Sequence, residues 1–286
     1  MKLTRSPKKE NATVVGILSD KLLLNKMLEA QDKIKVPQLL SYNFRSVFYY
    51  NQNATIIHSP QHLIDYLTHI MKNEGLDSLF IKFSGGKQGK HCYLFNLNPL
   101  KIENIVNNFD FIRSNNFIIQ KTIVQHEGIN SIYKDSINTL RIDVSHLNGK
   151  ITPLSALMRF GINGSNIDNV SSGGFFVPIN IETGKFRAKG FSFLEYGGAT
   201  YYEHPNTKFK FKDQEIPFFE EALEMAMEAS NQLPDLLVGW DIAIGPSGPI
   251  LVEGNHNYSI KMSEMSYGGY KKHPVFMEMF QELGIK

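Results

Sequence analysis

Hydrophobic and polar residues follow two different periods along this chain, and each period predicts a different kind of element. Apolar positions three and four residues apart follow Ser59-Pro60 and predict a helix over residues 61–73, which Gly75 ends. A similar stripe predicts a helix over residues 217–233 with its apolar side in the core. Short β-forming runs bounded by Gly, Asn or Pro predict strands between these helices. The mixture indicates an α+β protein.

The same patterns predict the remaining elements. A helix capped by Ser19 or Asp20 is predicted to run to about residue 31, and others over residues 101–113 and near the C-terminal end. Extended or strand segments are predicted over residues 36–50, 78–83, 91–97, 116–125, 136–145, 150–160, 175–181 and 185–190. Asn148-Gly149 predicts a tight hairpin turn.

Residues 238–257 combine apolar strands with acidic side chains. Asp241 lies in one apolar run, Gly245-Pro246-Ser247-Gly248 predicts a turn, and the next run leads to Glu253 and Asn255. Residues two apart on a strand share a face, so Glu253 and Asn255 point the same way. If Asp241 faces that side, three oxygen ligands converge in a set that suits Mg²⁺. The alternative is a hairpin with a polar outer face, but acids set among Trp, Ile, Val and Leu need a partner or a metal.

Residues 78–97 predict a strand, a glycine-rich turn and a second strand. Lys82 lies in the first strand, and the turn contains Ser84, Gly85 and Gly86 together with further lysines. Such a turn can bring backbone N–H groups and positive charge close to phosphates. It lacks the G-K-[ST] ending and the following helix of a Walker A loop. A flexible hairpin tip with solvated lysines is the alternative.

Two arginines, Arg141 and Arg159, fall within predicted strands. Each is expected either to contact solvent or an acid, or to bind a phosphate or carboxylate ligand. The small, polar, glycine-containing stretch over residues 163–174 predicts a mobile loop.

Composition narrows the class of protein. The chain has 286 residues, of which 42% are hydrophobic, and a formal net charge of +2, so charge gives no indication of nucleic-acid binding. A single cysteine, Cys92, excludes an internal disulfide framework and favours a reducing compartment. No apolar run approaches the roughly 20 residues of a membrane span. The basic N-terminal residues lack a following signal segment, so we expect a cytoplasmic protein.

Taken together, the order and spacing of these motifs resemble ATP-grasp enzymes, and closely the sugar-transfer-associated ATP-grasp group. The resemblance implies an ATP-grasp fold, in which two α/β subdomains with mainly antiparallel sheets grip a nucleotide between them. It divides the chain into a short N-terminal region (1–75), a small subdomain with the glycine-rich phosphate loop (76–125) and a C-terminal subdomain with the Mg²⁺ site (126–286). The segment before Ser78 is shorter than the family's usual first domain.

The resemblance also assigns roles to individual residues. It implies that Asp241, Glu253 and Asn255 hold Mg²⁺, with Mn²⁺ as an alternative, and that Arg141 and Arg159 meet the substrate and the transferred phosphoryl group. ATP binding falls to Lys21, Lys82, Ser84, Gly85, Gly86, Gln120, Lys121 and Ile123, with His126 or Glu127 at the ribose and residues 171–174 closing beside the reacting centre. The family usually has glutamate where this chain has Gln120, so an amide oxygen would meet the adenine amino group, and the preference for ATP over GTP is open.

The activity implied is an ATP-dependent carboxylate–amine ligase with an acyl-phosphate intermediate. Its partners would be a small carboxylate, such as a sugar acid, and an amine or amino acid, in surface-polysaccharide assembly. A homodimer is one expected oligomeric state. Two alternatives remain: a kinase of a small hydroxyl substrate, which needs one co-substrate rather than two, and a non-catalytic nucleotide-binding module that regulates a partner. The same fold can serve different chemistry, so the choice among these three activities depends on the residues that line the binding pocket.

Overall fold

The computed structural model describes residues 12–86, 90–165, 168, 170, 173–256 and 258–282. The chain forms two compact units. The six-stranded unit comprises residues 20–27 and 36–123, and the seven-stranded unit comprises residues 12–19 and 28–35 together with the described residues from 124 onward. Each unit is therefore assembled from segments that are not contiguous in sequence.

Helices and strands alternate irregularly, as expected for an α+β chain. The helices are α1 (Ala12–Ser19), α2 (Lys21–Glu29), α3 (Pro60–Glu74), α4 (Pro99–Asn107), α5 (Phe109–Ser114), α6 (Glu127–Asn130), α7 (Phe219–Gln232), α8 (Lys261–Tyr267) and α9 (Pro274–Glu282). The strands are β1 (Leu39–Phe44), β2 (Val47–Tyr50), β3 (Asn53–Ile56), β4 (Leu79–Phe83), β5 (Cys92–Phe95), β6 (Phe117–Lys121), β7 (Thr139–Leu147), β8 (Lys150–Phe160), β9 (Phe175–Pro178), β10 (Gly190–Phe191), β11 (Thr200–Tyr201), β12 (Leu237–Gly245) and β13 (Gly248–Asn255). None of the helices in the described part of the chain has the length and apolar character needed to cross a membrane.

The six-stranded unit is an antiparallel sheet in the order β3-β2-β1-β6-β4-β5. Alternate residues of β4, Leu79 and Ile81, join a core to which α3, α4 and α5 contribute. Because side chains alternate along a strand, Lys82 lies on the opposite face of the sheet. Helix α3 begins where the sequence predicted: Ser59 caps it by accepting a bond from the N–H of His62 at 3.1 Å.

Two parts of this unit differ from the sequence-based expectation. The segment after Pro37, expected to be extended through Tyr50, turns at residues 45–46 to form the hairpin β1–β2, and β3 extends the sheet. The helix expected over residues 101–113 is two helices that meet at Asn108. The side-chain amide of Asn108 donates to the carbonyl of Asn104 at 2.8 Å, a local bond that competes with helix continuation.

The seven-stranded unit is an antiparallel sheet in the order β11-β10-β9-β8-β7-β12-β13. Helix α7 packs against it through a buried stripe that includes Ala222, Ala226 and Ala229, as predicted. Trp240 is fully buried beneath α7, and its indole N–H donates to the hydroxyl of Ser230 at 2.7 Å. Helix α7 therefore covers one face of the sheet.

Gly254 lies on the face that α1 and Trp240 cover. A Cβ atom at Gly254 would lie 2.6 Å from the Trp240 ring and 2.7 Å from the Leu18 side chain, so the strand approaches both neighbours too closely for any larger residue.

The opposite face of this sheet has an apolar end and a polar end. At the apolar end the C-terminal helix α9 contributes Phe276, Met279 and Phe280 to a core with Leu147 and Leu237. The remainder of that face carries charged side chains from four adjacent strands, β8, β7, β12 and β13.

Candidate functional site

Charged residues occupy directly opposed positions on strands β7, β12 and β13. Arg141 pairs across the strands with Asp241, and Asp241 pairs with Glu253. One step along the sheet, Asp143 pairs with Gly239, and Gly239 pairs with Asn255. Opposed residues in antiparallel strands project from the same face. The structure therefore brings Asp241, Glu253 and Asn255 together on one face beside Arg141.

A β-bulge creates this juxtaposition. The hairpin closes with Gly245 opposite Gly248, and its register pairs Ile242 with Leu251. Continued without change, that register would pair Asp241 with Val252 and turn Glu253 to the other face. The register instead shifts by one residue between Asp241 and Ile242, so that Asp241 lies opposite Glu253. The bulge is thus what puts the two carboxylates on the same side.

Asp241 is held by two arginines. Arg141 makes a two-pronged contact, with Nε 2.6 Å from Oδ1 and an Nη 3.1 Å from Oδ2. An Nη of Arg159 lies 3.1 Å from Oδ2, and the side-chain amide of Asn255 donates to the same oxygen at 3.3 Å. Burial by itself raises the pKa of the Asp241 carboxyl, since its exposed fraction is 3%, but the two guanidinium groups outweigh burial and lower that pKa. Asp241 is therefore a carboxylate.

Arg159 also contacts a residue that the sequence did not single out. Thr139 donates to Asp168 Oδ2 from its backbone N–H at 3.0 Å and from its hydroxyl at 2.5 Å. Arg159 Nε lies 3.4 Å from the same oxygen and 3.1 Å from the Thr139 hydroxyl. Burial raises the pKa of Asp168 more than Arg159 lowers it. Asp168 lies in the stretch expected to be a mobile loop, where one carboxylate among Asn, Gly and Ser was the only available signal. Ser171 and Ser172 of that stretch lie outside the described residues.

Asp143 is a second carboxylate that sequence reasoning missed. It is fully buried, and its Oδ2 accepts hydrogen bonds from three hydroxyl groups: Ser155 at 2.9 Å, Ser263 at 2.5 Å and Tyr270 at 2.8 Å. Its only sequence signal was its place two residues after Arg141 on the same strand, which puts both side chains on one face.

The donor set fits a divalent cation. Four carboxylates on this face, from Asp143, Asp168, Asp241 and Glu253, stand against the guanidinium groups of Arg141 and Arg159, which leaves a formal charge of −2. Carboxylate and amide oxygens are the ligands that Mg²⁺ and Mn²⁺ prefer. Among the described residues, no group of three His, Cys, Asp or Glu side chains is arranged for a metal, so the fit depends on the mixed set with Asn255.

In the six-stranded unit, the start of α2 meets the end of β4. Asp20 Oδ1 accepts from the N–H of Leu22 at 2.8 Å, which caps α2 as predicted, and from the Ser84 hydroxyl at 2.7 Å. The ammonium group of Lys21 donates to the carbonyl of Gly86 at 2.5 Å. Lys21, Ser84 and Gly86 are thus brought together, with Gly85 between the last two. Residues 87–89 of this turn lie outside the described residues.

Lys82 and Gln120 share the sheet face opposite the core of this unit. Gln120 pairs across the strands with Phe80, two residues before Lys82, and the Lys82 ammonium lies 5.4 Å from the Phe80 ring centroid. The Gln120 amide nitrogen is 3.4 Å from the carbonyl of Pro37. Its oxygen is buried and has no hydrogen-bond partner among the described residues, so a hydrogen-bond acceptor remains at this position.

The segment after Gln120 supplies the remaining predicted residues. Lys121 has an exposed side chain, and its N–H donates to the carbonyl of Gln38 at 3.0 Å, while Ile123 is half-buried. In the seven-stranded unit, His126 caps α6 through Nδ1, which accepts from the N–H of Gly128 at 3.0 Å. Glu127 is exposed and accepts from the side chain of Asn130 at 3.2 Å. Its exposure leaves it the freer of the two ribose candidates to meet a ligand.

Comparison with known structures identifies the fold. D-alanyl-alanine synthetase A from Vibrio cholerae O1 biovar eltor superposes with a TM-score of 0.53 over 94% of this chain and 66% of that protein, at 14% identity. D-alanine–D-alanine ligase from Coxiella burnetii gives 0.52 over 96% and 59%, at 12% identity. A biotin carboxylase from Campylobacter jejuni gives 0.53 over 96% and 48%, at 10% identity. Our chain thus spans less than two thirds of each of these proteins, and at such identities the likeness shows the fold alone.

The sequence comparisons identify the family. No curated protein matches this chain. A family model described as sugar-transfer associated ATP-grasp matches residues 6–274, which is most of the chain. The predicted fold and family are both confirmed. The protein belongs to the sugar-transfer associated ATP-grasp family.

Proposed function

We propose that this protein is an ATP-dependent carboxylate–amine ligase. In the first step a carboxylate oxygen attacks the γ-phosphorus of ATP, the bond to the bridging oxygen breaks, and ADP leaves. In the second step an amine nitrogen attacks the acyl phosphate, the carbon–oxygen bond to phosphate breaks, and one amine proton is released with inorganic phosphate. The observation that carries this proposal is the single sheet face on which Asp241, Glu253 and Asn255 lie beside two arginines.

The proposed roles follow from the residue types. Phosphoryl transfer asks a protein mainly to align donor and acceptor and to offset charge. Asp241, Glu253 and Asn255 would hold Mg²⁺, which when bound offsets phosphate charge. Asp241 already receives donors from Arg141, Arg159 and Asn255, so a cation bound there replaces some of these contacts. A displaced Arg159 would offer its planar guanidinium to the carboxylate or the transferred phosphoryl group, and Arg141 would stay beside it.

The six-stranded unit would bind the nucleotide. Lys21 and Lys82 would supply positive charge to the phosphates, and Ser84, Gly85 and Gly86 would contribute the turn that approaches them. Gln120 would present its unpaired oxygen to the adenine amino group, with Lys121 and Ile123 beside it. Glu127, which belongs to the seven-stranded unit, is the residue proposed to contact the ribose. Guanine has an acceptor at the equivalent position, which such an oxygen repels, so we expect ATP to be preferred over GTP.

The substrate side of the proposal is a small carboxylate, such as a sugar acid, joined to an amine or amino acid in surface-polysaccharide assembly. The family description supports a connection with sugar transfer. One cysteine in 286 residues supports a reducing compartment, and we propose the cytoplasm.

The test begins with nucleotide binding. We expect Mg²⁺-ATP to raise the melting temperature, and ATP with EDTA or GTP with Mg²⁺ to raise it less, because a ligand stabilises the folded state that binds it. Phosphate release is then measured with panels of sugar acids and amines, alone and in pairs. Release that needs both co-substrates supports the ligase. ADP formation with one hydroxyl substrate would indicate a kinase, and nucleotide binding without phosphate release would indicate a non-catalytic module. No change in melting temperature with any nucleotide would overturn the ligase proposal.

A further inference from the structure

Arg141 is a buried cation near two carboxylates, those of Asp241 and Asp143. Its exposed fraction is 4%, and its direct partner is Asp241. Burial by itself lowers the pKa of the Arg141 guanidinium, but Asp241 and then Asp143 outweigh burial and raise it. Arg141 is therefore charged, as arginine generally is in proteins, and it would lie next to a metal bound to Asp241.

The geometry around Gly239 shows where Asp143 acts. A Cβ atom at Gly239 would lie 3.1 Å from both Arg141 Cδ and Asp143 Oδ1, and 3.0 Å from Tyr258 Cε1. Arg141 Cδ and Asp143 Oδ1 are thus at most 6.2 Å apart, which is twice 3.1 Å. The Arg141 guanidinium also lies over the Tyr258 ring, 5.1 Å from its centroid. Three side chains meet where glycine leaves room for them.

The two oxygens of Asp143 have different environments. Oδ2 accepts all three hydroxyl bonds, from Ser155, Ser263 and Tyr270. Oδ1, on the side of Arg141, has no hydrogen-bond partner among the described residues. The hydroxyl groups of Ser263 and Tyr270 are therefore held by Oδ2 alone, and any hydrogen-bond acceptor at that position could hold them. Tyr258 also interacts with Asp143 through its hydroxyl, which likewise needs only an acceptor. The hydroxyl groups around Asp143 therefore do not require a negative charge next to Arg141.

We propose that Asp143 is a positioning residue for the metal site, acting through Arg141. When a divalent cation takes up the charge of Asp241, Arg141 loses its main counter-ion and repels the cation. Asp143 then supplies the second negative charge that keeps Arg141 in place and lets the cation bind. Without it, Arg141 would hold Asp241 more tightly and compete with the metal. This inference rests on the proposed metal site.

The experiment measures Mn²⁺ binding rather than turnover. Mn²⁺ is titrated into the full chain with saturating ADP, and bound and free ion are separated by electron paramagnetic resonance. Asp143→Asn keeps the shape and removes the charge. We expect its Mn²⁺ dissociation constant to rise about 10–100-fold, the range found when groups that support metal ligands are changed. ADP affinity in EDTA should stay at the wild-type value.

Tyr270→Phe is the matched control. It removes one hydrogen bond to Asp143 and keeps the carboxylate charge. We expect the wild-type Mn²⁺ constant from this variant. A loss equal to that of Asp143→Asn would mean that the hydrogen-bond network matters rather than the charge, and would overturn the proposal.

A double-mutant cycle with Arg141→Gln tests whether Asp143 acts through Arg141. With Arg141 neutral, adding Asp143→Asn should cost much less Mn²⁺ affinity than it does in the wild-type background. If Asp143→Asn does not fold alone, the Arg141→Gln protein with and without Asp143→Asn still gives half of the cycle, in which Asp143→Asn should leave the Mn²⁺ dissociation constant almost unchanged. A 10–100-fold loss that persists without Arg141 would overturn the inference. Wild-type protein that binds ADP but no Mn²⁺ would instead defeat the proposed metal site itself.

Discussion

Asp241 and Glu253 face each other across two strands, yet their surroundings differ at the level of single residues. Asp241 is buried between Arg141 and Arg159, whereas Glu253 is half-buried. Neutralising Asp241 leaves two buried cations short of an anion, which is costly in a poorly hydrated environment. Glu253, by contrast, keeps part of its hydration.

We therefore predict that Asp241→Asn and Glu253→Gln both abolish phosphate release but differ in stability. Asp241→Asn should lower the free energy of unfolding by on the order of 3 kcal/mol, as expected when a buried ion pair loses one partner. Glu253→Gln should lower it by less, because a half-buried carboxylate is still partly hydrated. Urea denaturation gives the free energies, and a coupled phosphate assay gives turnover.

Asp110→Asn is the control for both variants. The Asp110 side chain is 90% exposed and contacts only Arg113 at the surface of α5 among the ion pairs of the described residues. Exposed pairs contribute little, so neither stability nor turnover should change. Full turnover in Glu253→Gln would refute its assignment to the metal.

At the residue level, the sequence could indicate which side chains lie together only where neighbours in sequence are neighbours in space. Glu253 and Asn255 are two residues apart on one strand, so periodicity placed them on one face, and Asp241 belongs to the same hairpin. Asp143 was missed because two of its three hydroxyl partners, Ser263 and Tyr270, lie 120 and 127 residues away in sequence. Asp168 was missed because its partner Thr139 is 29 residues away across an irregular segment. Burial of a carboxylate among distant hydroxyls leaves no local pattern.

At the scale of elements, the β12–β13 hairpin shows both what periodicity predicts and where it fails. Gly245-Pro246-Ser247-Gly248 predicted the turn, and the structure has it. The same period applied to the whole hairpin would have turned Asp241 away from Glu253. The bulge that reverses this places Val252 as the extra residue, and nothing in the apolar run 249–252 marks it. Likewise, the helix break at Asn108 depends on a side-chain bond rather than on a Gly or Pro.

A polar contact between Trp240 and Ser230 joins helix α7 to the sheet within a largely apolar interface, and this contact gives an element-level prediction. Ser230→Ala would leave the buried indole N–H of Trp240 without its acceptor. We expect a loss of about 1–3 kcal/mol in unfolding free energy, the cost of an unsatisfied buried donor. Mn²⁺ affinity should not change, since Trp240 faces away from the donor set.

Ser114→Ala serves for comparison in the same urea experiment. Ser114 is exposed at the end of α5, and its side chain makes none of the hydrogen bonds found among the described residues. We expect no measurable change there. Equal stability in the two serine variants would mean that Trp240 finds another acceptor.

At the scale of the whole molecule, the sequence predicted an α+β chain with antiparallel sheets, and the resemblance named the fold that the comparisons confirmed. The local sequence patterns did not predict which segments of the chain belong to which unit. Residues 28–35 belong with the seven-stranded unit, where the Lys35 carbonyl accepts from the N–H of Leu251 at 2.8 Å. Strands from residues 39–56 and from 79–121 share one sheet across the expected boundary at 75 and 76. Such long-range pairing has no local signature.

Two histidines, the buried His204 and the half-buried His273, make stability depend on pH. Burial lowers the pKa of His204, which stacks on Tyr133, and of His273. Between these lowered values and the ordinary value of about 6.5, the unfolded chain binds protons that the folded chain does not. Stability must therefore fall as pH decreases below about 6.5. Melting temperatures between pH 7.5 and pH 5 check this, with the slope as the readout.

Substitutions identify the source of that slope. His204→Gln should make the melting temperature less dependent on pH, whatever its effect on stability at pH 7.5. His58→Gln, at an exposed histidine, should keep the wild-type slope. A slope that is identical in all three proteins would place the titrating groups elsewhere.

The close approach at Gly254 has a consequence for anyone who wishes to re-engineer the donor set. Glu253 and Asn255 project from the face opposite to Gly254, so a saturation library can vary both of them. The codon between them has to stay fixed, because any side chain at Gly254 would meet Trp240 and Leu18. In a library randomised over all three positions, most variants would fail to fold. A selection for a new metal preference would then distinguish folded from unfolded variants rather than different metal ligands.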